Sequence, residues 1–361
     1  MTMHPRPVLF ECTLRDASYV VNFQFNAEHT RIIAGALEAA GFDHIEIGHG
    51  LGLGASKPSI GIAAETDEAY LEAAASTLSR ARWGTFFIPG IGESRHLDLA
   101  AGFGMDFVRV GANITEFRTA RPHVEHAKTL GLTVSVNLMK TYAVDAAAFT
   151  SIVREIGTWQ PDNIYVVDSA GCMLPDDVRG CIRTILGETG ADAGMHAHHN
   201  LQLAVSNSLV ALEEGARFVD TTLRGIGRSA GNAQTEVVIA LLQQRGLMRS
   251  LDLMRVMAVS EGVFVPLVRD LISRVPGANP EESHRGSSDL ELVLGLSKCH
   301  SSFLPMFSAV AREHGVNLLA LVMAVSARDC VHPTVELCRE EARLLARETP
   351  AAAPHATGHK L

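Results

Sequence analysis

Short apolar runs rich in β-branched residues recur along the first two-thirds of the chain, and amphipathic stretches separate them. The runs cover 8–16 (VLFECTLRD), 44–50 (HIEIGHG), 82–90 (RWGTFFIPG), 107–113 (FVRVGAN), 133–140 (TVSVNLMK), 163–171 (NIYVVDSAG), 192–200 (DAGMHAHHN) and 218–225 (FVDTTLRG). Continuous apolar runs of this length predict parallel strands buried on both faces. Stretches such as AEHTRIIAGALEAAGF and RPHVEHAKTLGL predict the intervening helices, with Gly41, Gly131 and Gly215 closing three of them. Eight strands alternating with helices over 1–245 have the rhythm of a (β/α)8 TIM barrel, an α/β fold. An open doubly wound sheet is the alternative. Its Gly-rich phosphate turn is missing, because the first strand runs into TLRDASY rather than GxGxxG or GxxxxGK[ST].

Beyond residue 245 the strand pattern stops. The segments 253–275, 300–314 and 318–347 read as helices, giving a helical C-terminal region over 246–347. The head MTMHPRP and the tail 348–361 read as disordered.

Composition narrows the function classes. The chain has 361 residues, 47% hydrophobic and 20% charged, so it can bury a large core. Lys+Arg is 31 against Asp+Glu 40, a net charge of -9, which argues against a nucleic-acid or anionic-membrane binder. A small basic pocket for an acidic substrate is still compatible with that balance. Cys12, Cys172, Cys181, Cys299, Cys330 and Cys338 form no CxxC pair, and the opening residues turn charged too soon for a secretory segment. Reduced thiols in the cytoplasm are the expectation. The longest apolar run, 318–327, is about half a membrane span.

In a barrel the active site gathers at the C-terminal ends of the strands. Those ends carry Arg15, Asp16, His49, Asn113, Lys140, Asp168, Ser169, His196, His198 and Arg224. His196 and His198 are two apart, so on a strand they share a face. Two inward imidazoles need partners, and a divalent ion is the simplest. Asp16 is the best carboxylate to complete the set, with open positions for substrate. His199 should point away, to packing or support. Three surface histidines are the bland alternative. The same ligand set also serves non-haem iron oxygenases, usually on an all-β scaffold.

TLRD at 13–16, HAHHN at 196–200 and AGNAQTE at 230–236 resemble the DRE-type barrel metallolyases. The likeness is closest to the bacterial 4-hydroxy-2-oxovalerate aldolases. It continues in order through IEIGHGLGLGAS (45–56), PGIG (89–92), VDSAG (167–171), LAVSNSLVALEEGARFVD (203–220) and SSFL (301–304), from about residue 9 to 345. The resemblance implies that Asp16, His196 and His198 bind a divalent ion, usually manganese, with magnesium, cobalt or zinc as other candidates. It implies that Arg15 stabilises an enolate oxygen, that Ser169 orients the substrate, and that Asn232 approaches the metal. A helix N-cap is the alternative role for Asn232. His49, Lys140 and Arg224 are candidate substrate contacts. The chemistry implied is cleavage of a 4-hydroxy-2-oxo acid, or a related acidic 2-oxo acid, through a pyruvate-type enolate, or the reverse condensation.

Two departures stand out. The aldolases have TLRDG followed two residues on by a histidine, the expected base; this chain has Ala17 and Tyr19. They carry a tyrosine before SSFL, where this chain has His300. The identities look exchanged, which makes His300 the candidate base and Tyr19 a positioning group. Loss of the aldol reaction is the alternative. The second departure is charge: Arg224 and Arg228 flank the strand-8 loop, where the aldolases have small residues. Extra cations suggest a more acidic substrate, such as a dicarboxylate. Exposed loop charges are the alternative, above all for Arg228.

The Gly-rich segment 50–61 lacks a GK[ST] ending and reads as a loop over the barrel mouth. GIGRSAGN has no counterpart to the cysteine loop of hydroxymethylglutaryl-CoA lyases. Two further functional readings are a Claisen-type enzyme joining an acyl-CoA to a 2-oxo acid, and a catalytically altered scaffold. The resemblance implies a small anionic 2-oxo acid as substrate, an acylating aldehyde dehydrogenase as a possible partner, and a homo-oligomer.

Overall fold

The computed structural model describes residues 6–275 and 287–348. The chain falls into two compact units, Met1–Ser287 and Ser288–Leu361.

In the first unit β1 (Val8–Glu11) leads into a single helical turn, α1 (Thr13–Asp16), and then α2 (Ala27–Ala39). The alternation continues with β2 (His44–Ile47), α3 (Asp67–Thr77), β3 (Arg82–Phe87), α4 (Ser94–Gly102), β4 (Phe107–Asn113) and α5 (Arg121–Thr129). It is completed by β5 (Thr133–Met139), α6 (Ala146–Gly157), β6 (Asn163–Asp168), α7 (Pro175–Glu188), β7 (Asp192–Ala197), α8 (Ala204–Glu213), β8 (Phe218–Thr221) and α9 (Thr235–Gln244). The strands are parallel and close in the order β1 to β8, with Phe10 of β1 in register with Asp220 of β8. The TIM barrel is therefore present.

Local chemistry sets the boundaries. Asn26, Thr66 and Asp145 accept backbone N–H groups at the starts of α2, α3 and α6. Gly41, Gly131 and Gly215 adopt positive φ just past α2, α5 and α8, as the sequence predicts. The strands are shorter than the apolar runs. TLRD is not the end of a strand, because the Glu11 carboxylate accepts the Thr13 N–H and hydroxyl and turns the chain into α1.

The barrel floor is filled by Phe10, Phe107, Tyr165 and Phe218. Gly194 of β7 makes room for one of these rings: a Cβ there would lie 2.5 Å from the Tyr165 ring. The packed floor leaves only the upper end of the barrel open for chemistry.

After α9 come α10 (Leu253–Val259), a π-helical turn (Ser260–Phe264) and α11 (Val265–Ser273). The π turn precedes Pro266, whose ring and missing N–H disfavour a regular α-helix there. These helices group with the barrel, so the compact units part later than the expected division at 245/246. The reason is packing: Leu251, Val256 and Phe264 join the barrel core, and the Asp252 N–H donates to the Ala40 carbonyl at 3.0 Å.

The second unit consists of α12 (Asp289–Leu296), α13 (Leu304–His314), α14 (Leu318–Arg328) and α15 (Val335–Glu348) around Leu294, Phe307, Leu321, Val325 and Cys338. The expected helix over 318–347 is two helices. Pro333 cannot continue the ladder, and the Asp329 carboxylate takes the Val331 and His332 N–H groups. The expected tail over 348–361 lies, apart from its first residue, outside the described residues. Among the described residues no helix is long and apolar enough to cross a membrane.

Candidate functional site

Asp16 at the end of α1 meets His196 of β7 and His198, one residue beyond that strand. Each offers one ligand atom, and these atoms lie within 4.8 Å of one another. All three side chains are buried. The tautomers are fixed from behind. His196 Nδ1 lies 2.7 Å from Asp220 Oδ2, and a carboxylate can only accept, so Nδ1 carries the proton. His198 Nδ1 donates to the Gly231 carbonyl at 3.3 Å. The two Nε2 atoms are thus the ones left to face the site, and His196 Nε2 lies 3.6 Å from Asp16 Oδ2. Burial pushes the His198 imidazole down to about 3, which keeps it neutral. Burial opposes ionisation of Asp16, but the adjacent Arg15 guanidinium outweighs it and holds the carboxyl below its ordinary range.

This arrangement fits a divalent cation. Asp16 Oδ2 and Asn232 Oδ1 are buried without a hydrogen-bond partner. An unsatisfied buried polar atom costs about 1–3 kcal/mol, which a shared cation offsets. The Asn232 amide nitrogen lies 3.3 Å from His196 Nε2, and turning the amide over brings its oxygen to the same point. Asn232 is bridged to His198 and lies outside α9, whose N-cap is Gln234, so the capping role does not apply. Gly227 presses on this group: a Cβ there would lie 1.8 Å from Asn232 Oδ1 and 3.3 Å from Asp16 Oδ2.

An ionic layer supports the triad from below. Arg15 donates to Asp16 and to Glu46 of β2, each at 2.8 Å. Arg109 of β4 donates to the same Glu46 oxygen at 3.0 Å and to Asp220. Its guanidinium lies 4.5 Å from the Tyr165 ring centre and 5.2 Å from that of Phe10. Three carboxylates face two guanidiniums, which leaves one negative charge for a cation to meet. Glu46, Arg109 and Asp220 escaped the sequence reading. The available signal was a single charge in the middle of an otherwise apolar strand, which survives burial only when paired.

The mouth above the triad is a cavity open to solvent, lined on its polar side by Arg15, Tyr19, Asn137, Ser169, His196, His198 and Arg228. Ser169 Oγ accepts the Lys140 N–H at 2.9 Å. Tyr19 packs against Gly50, where a Cβ would lie 2.6 Å from its ring, and burial raises its phenol above the usual range.

Three expected substrate contacts, Arg224, His49 and Lys140, lie elsewhere. Arg224 pairs with Glu261 at 3.0 Å on the outside of the loop, and its N–H is taken by Glu236. The loop cation that faces the mouth is Arg228. His49 stacks on Phe23 at 4.0 Å and spends both ring nitrogens, accepting the Leu51 N–H and donating to the Gly61 carbonyl. It clasps the Gly-rich loop and has no ring nitrogen left for a substrate. Lys140 is buried in a left-handed conformation and is not among the residues lining the mouth. His300 belongs to the second unit, where it caps the turn Ser301–Phe303 and its Nδ1 lies 2.6 Å from Ser302 Oγ. His199 turns away as expected and accepts the Ala204 N–H.

A 4-hydroxy-2-oxovalerate aldolase of Carboxydothermus hydrogenoformans is 40% identical over 261 residues, 72% of this chain and 78% of the relative. One of Bacillus thuringiensis is 34% identical over 95% of this chain and 97% of its own length. An oxaloacetate decarboxylase of Mycobacterium tuberculosis is 39% identical over 80% of this chain and 84% of its own. Among solved structures, the carboxyl transferase domain of Rhizobium etli pyruvate carboxylase with pyruvate shares the fold. Its TM-score is 0.72 at 13% identity, covering 96% of this chain and 61% of that one. The HMGL-like family profile matches residues 6–263, which include the barrel and Asp16, His196 and His198, and the chain belongs to the HMGL-like family.

Proposed function

We propose that this protein is a divalent-metal-dependent carbon–carbon lyase of the aldolase type, which cleaves a 4-hydroxy-2-oxo acid to pyruvate and a carbonyl product or condenses them. One observation carries the reading. Asp16, His196 and His198 present a carboxylate and two imidazole Nε2 atoms at the barrel mouth, with the Arg15 guanidinium alongside. Mixed nitrogen and oxygen donors suit manganese, with magnesium, cobalt or zinc as rivals. A bound divalent ion supplies Lewis acidity toward the 2-oxo group.

The chain's own residues do the rest. Arg15, locked by Glu46 and Asp16, stabilises negative charge as it develops on the keto oxygen. Ser169 receives the Lys140 N–H, so its hydroxyl hydrogen is available to the substrate carboxylate. The apolar wall of Leu51, Phe86, Ile88 and Met139 excludes water from the enolate. The free cysteines suit a cytoplasmic setting. The Claisen and scaffold readings are not favoured, since the triad is complete and the named relatives are an aldolase group and a decarboxylase.

Exchange of the pyruvate methyl protons with deuterated solvent tests the proposal. Metal-loaded protein should catalyse exchange, a chelator should abolish it, and Asp16→Asn should abolish it too. Exchange that survives both would overturn the metal reading.

A further inference from the structure

We propose that Arg228 receives a second substrate carboxylate, so that the aldolase site proposed above acts on 4-hydroxy-2-oxo dicarboxylates. The inference rests on that reading and adds the substrate class.

Arg228 stands apart from the other guanidiniums of the site. Arg15 and Arg109 are each matched by two carboxylates. Among the described residues no carboxylate forms an ion pair with Arg228. Its Nε is buried without a partner, and its Nη2 lies 3.4 Å from His198 Nε2, the atom that faces the ion site. A cation this close to a cation site needs an anion between them.

Its placement is built. Gly227 is pressed against Asn232 and Asp16, and Ser229 accepts the Asn200 amide N–H at 2.8 Å. The loop is thus fixed on both sides of Arg228, and the guanidinium lies 5.3 Å from the centre of the Tyr19 ring. Topology separates it from the other anion contact. Ser169 follows β6 and Arg228 follows β8, with the histidines at the end of β7 between them. A short substrate that chelates through its 2-oxo acid end at Ser169 reaches Arg228 with its far end.

Charge agrees. The buried layer carries one net negative charge, which Arg228 cancels. A divalent ion then adds two positive charges, and a dianion restores neutrality where a monoanion does not.

In the reaction the 4-hydroxyl loses its proton, and the C3–C4 bond breaks. The bond's electron pair passes to C3 and the 2-oxo oxygen, and C4 leaves as the carbonyl of an oxo carboxylate of the glyoxylate type. Protonation of C3 yields pyruvate, and no further reactant is needed. The retained C5 carboxylate is the group on Arg228.

The test compares 2-oxoglutarate with 2-oxovalerate, which differ only in a carboxylate for a methyl at C5 and lack the 4-hydroxyl needed for cleavage. Calorimetry on manganese-loaded protein should show 2-oxoglutarate binding about 10- to 100-fold tighter. Arg228→Ala should erase the preference, and Arg228→Lys should keep part of it, with thermal melts confirming that both variants fold. With substrates, the kcat/KM ratio of 4-hydroxy-2-oxoglutarate to 4-hydroxy-2-oxovalerate should collapse in Arg228→Ala alone. Equal binding of the two probes by the native protein overturns the inference, as does a preference that survives Arg228→Ala. Equal weakening of both probes in Arg228→Ala also overturns it, by assigning the arginine to the C1 carboxylate. Binding of neither probe overturns the 2-oxo acid reading itself.

Discussion

Asp220 is the residue whose removal should separate the grip on the ion from the rest of the chemistry. Asp220→Asn conserves shape and deletes one charge. Asp220 Oδ2 accepts from His196 Nδ1 at 2.7 Å and from Arg109, and all three side chains are almost fully buried. Two losses follow. The imidazole loses the carboxylate that fixes its tautomer and raises its basicity, which for such supporting groups weakens metal binding about 10- to 100-fold, or about 1.4–2.7 kcal/mol. Arg109 loses one of two counter-charges. Removing one partner of a buried pair costs about 3–5 kcal/mol, and Glu46, still 3.0 Å away, keeps the loss toward the lower figure. At about 2–4 °C per kcal/mol, the melting temperature should fall by roughly 6–12 °C. Calorimetric titration of metal-free protein with manganese reads the first loss, and thermal unfolding without metal reads the second. A variant that binds manganese with native affinity would show that Asp220 does not hold His196, whatever its melting point.

Two further outcomes follow from other groups. Burial pushes the Glu11 carboxyl up to about 8, against an ordinary 4.5, with hydrogen bonds from Thr13 and Thr235 opposing part of the rise. Between those values the folded chain holds a proton that the unfolded chain has released, so stability should fall as pH rises through that window. Glu11→Gln keeps an acceptor for Thr13 and should flatten the slope; melting curves that shift with pH equally in both proteins would remove Glu11 as the cause. His300→Ala should slow cleavage of a 4-hydroxy-2-oxo acid by about 10²- to 10⁴-fold if it is the base, with Tyr19→Phe acting mainly on KM. Undiminished turnover of His300→Ala would remove it from the mechanism.

The barrel was legible because buried parallel strands must be apolar throughout and their helices must end in residues such as Gly41 and Gly131. The triad was legible for the opposite reason: Asp16 just after β1, and His196 and His198 at the end of β7, interrupt that apolar background. The ionic layer was not. Glu46, Arg109 and Asp220 make sense only as a set, and Arg109 meets Asp220 across 111 residues of sequence. Arg224 and Arg228 illustrate a second limit. They share a loop and a side-chain type, and their opposite outlooks depend on backbone geometry, including a positive φ of 57° at Arg224. His49 was misplaced because a strand-end imidazole can serve a loop's backbone as readily as a substrate.

The loop after β8 divides its labour in a way that bears on how such enzymes change. Gly227 tolerates no side chain without disturbing Asn232, and Ser229 is tied to Asn200, so both are bound to the architecture. The residue between them, Arg228, meets the Tyr19 ring and His198 Nε2 and forms no ion pair with a carboxylate among the described residues. A change at Arg228 alters the lining of the mouth and leaves the backbone around Gly227 and Ser229 in place, so the specificity proposed for this site can shift without the loop being rebuilt.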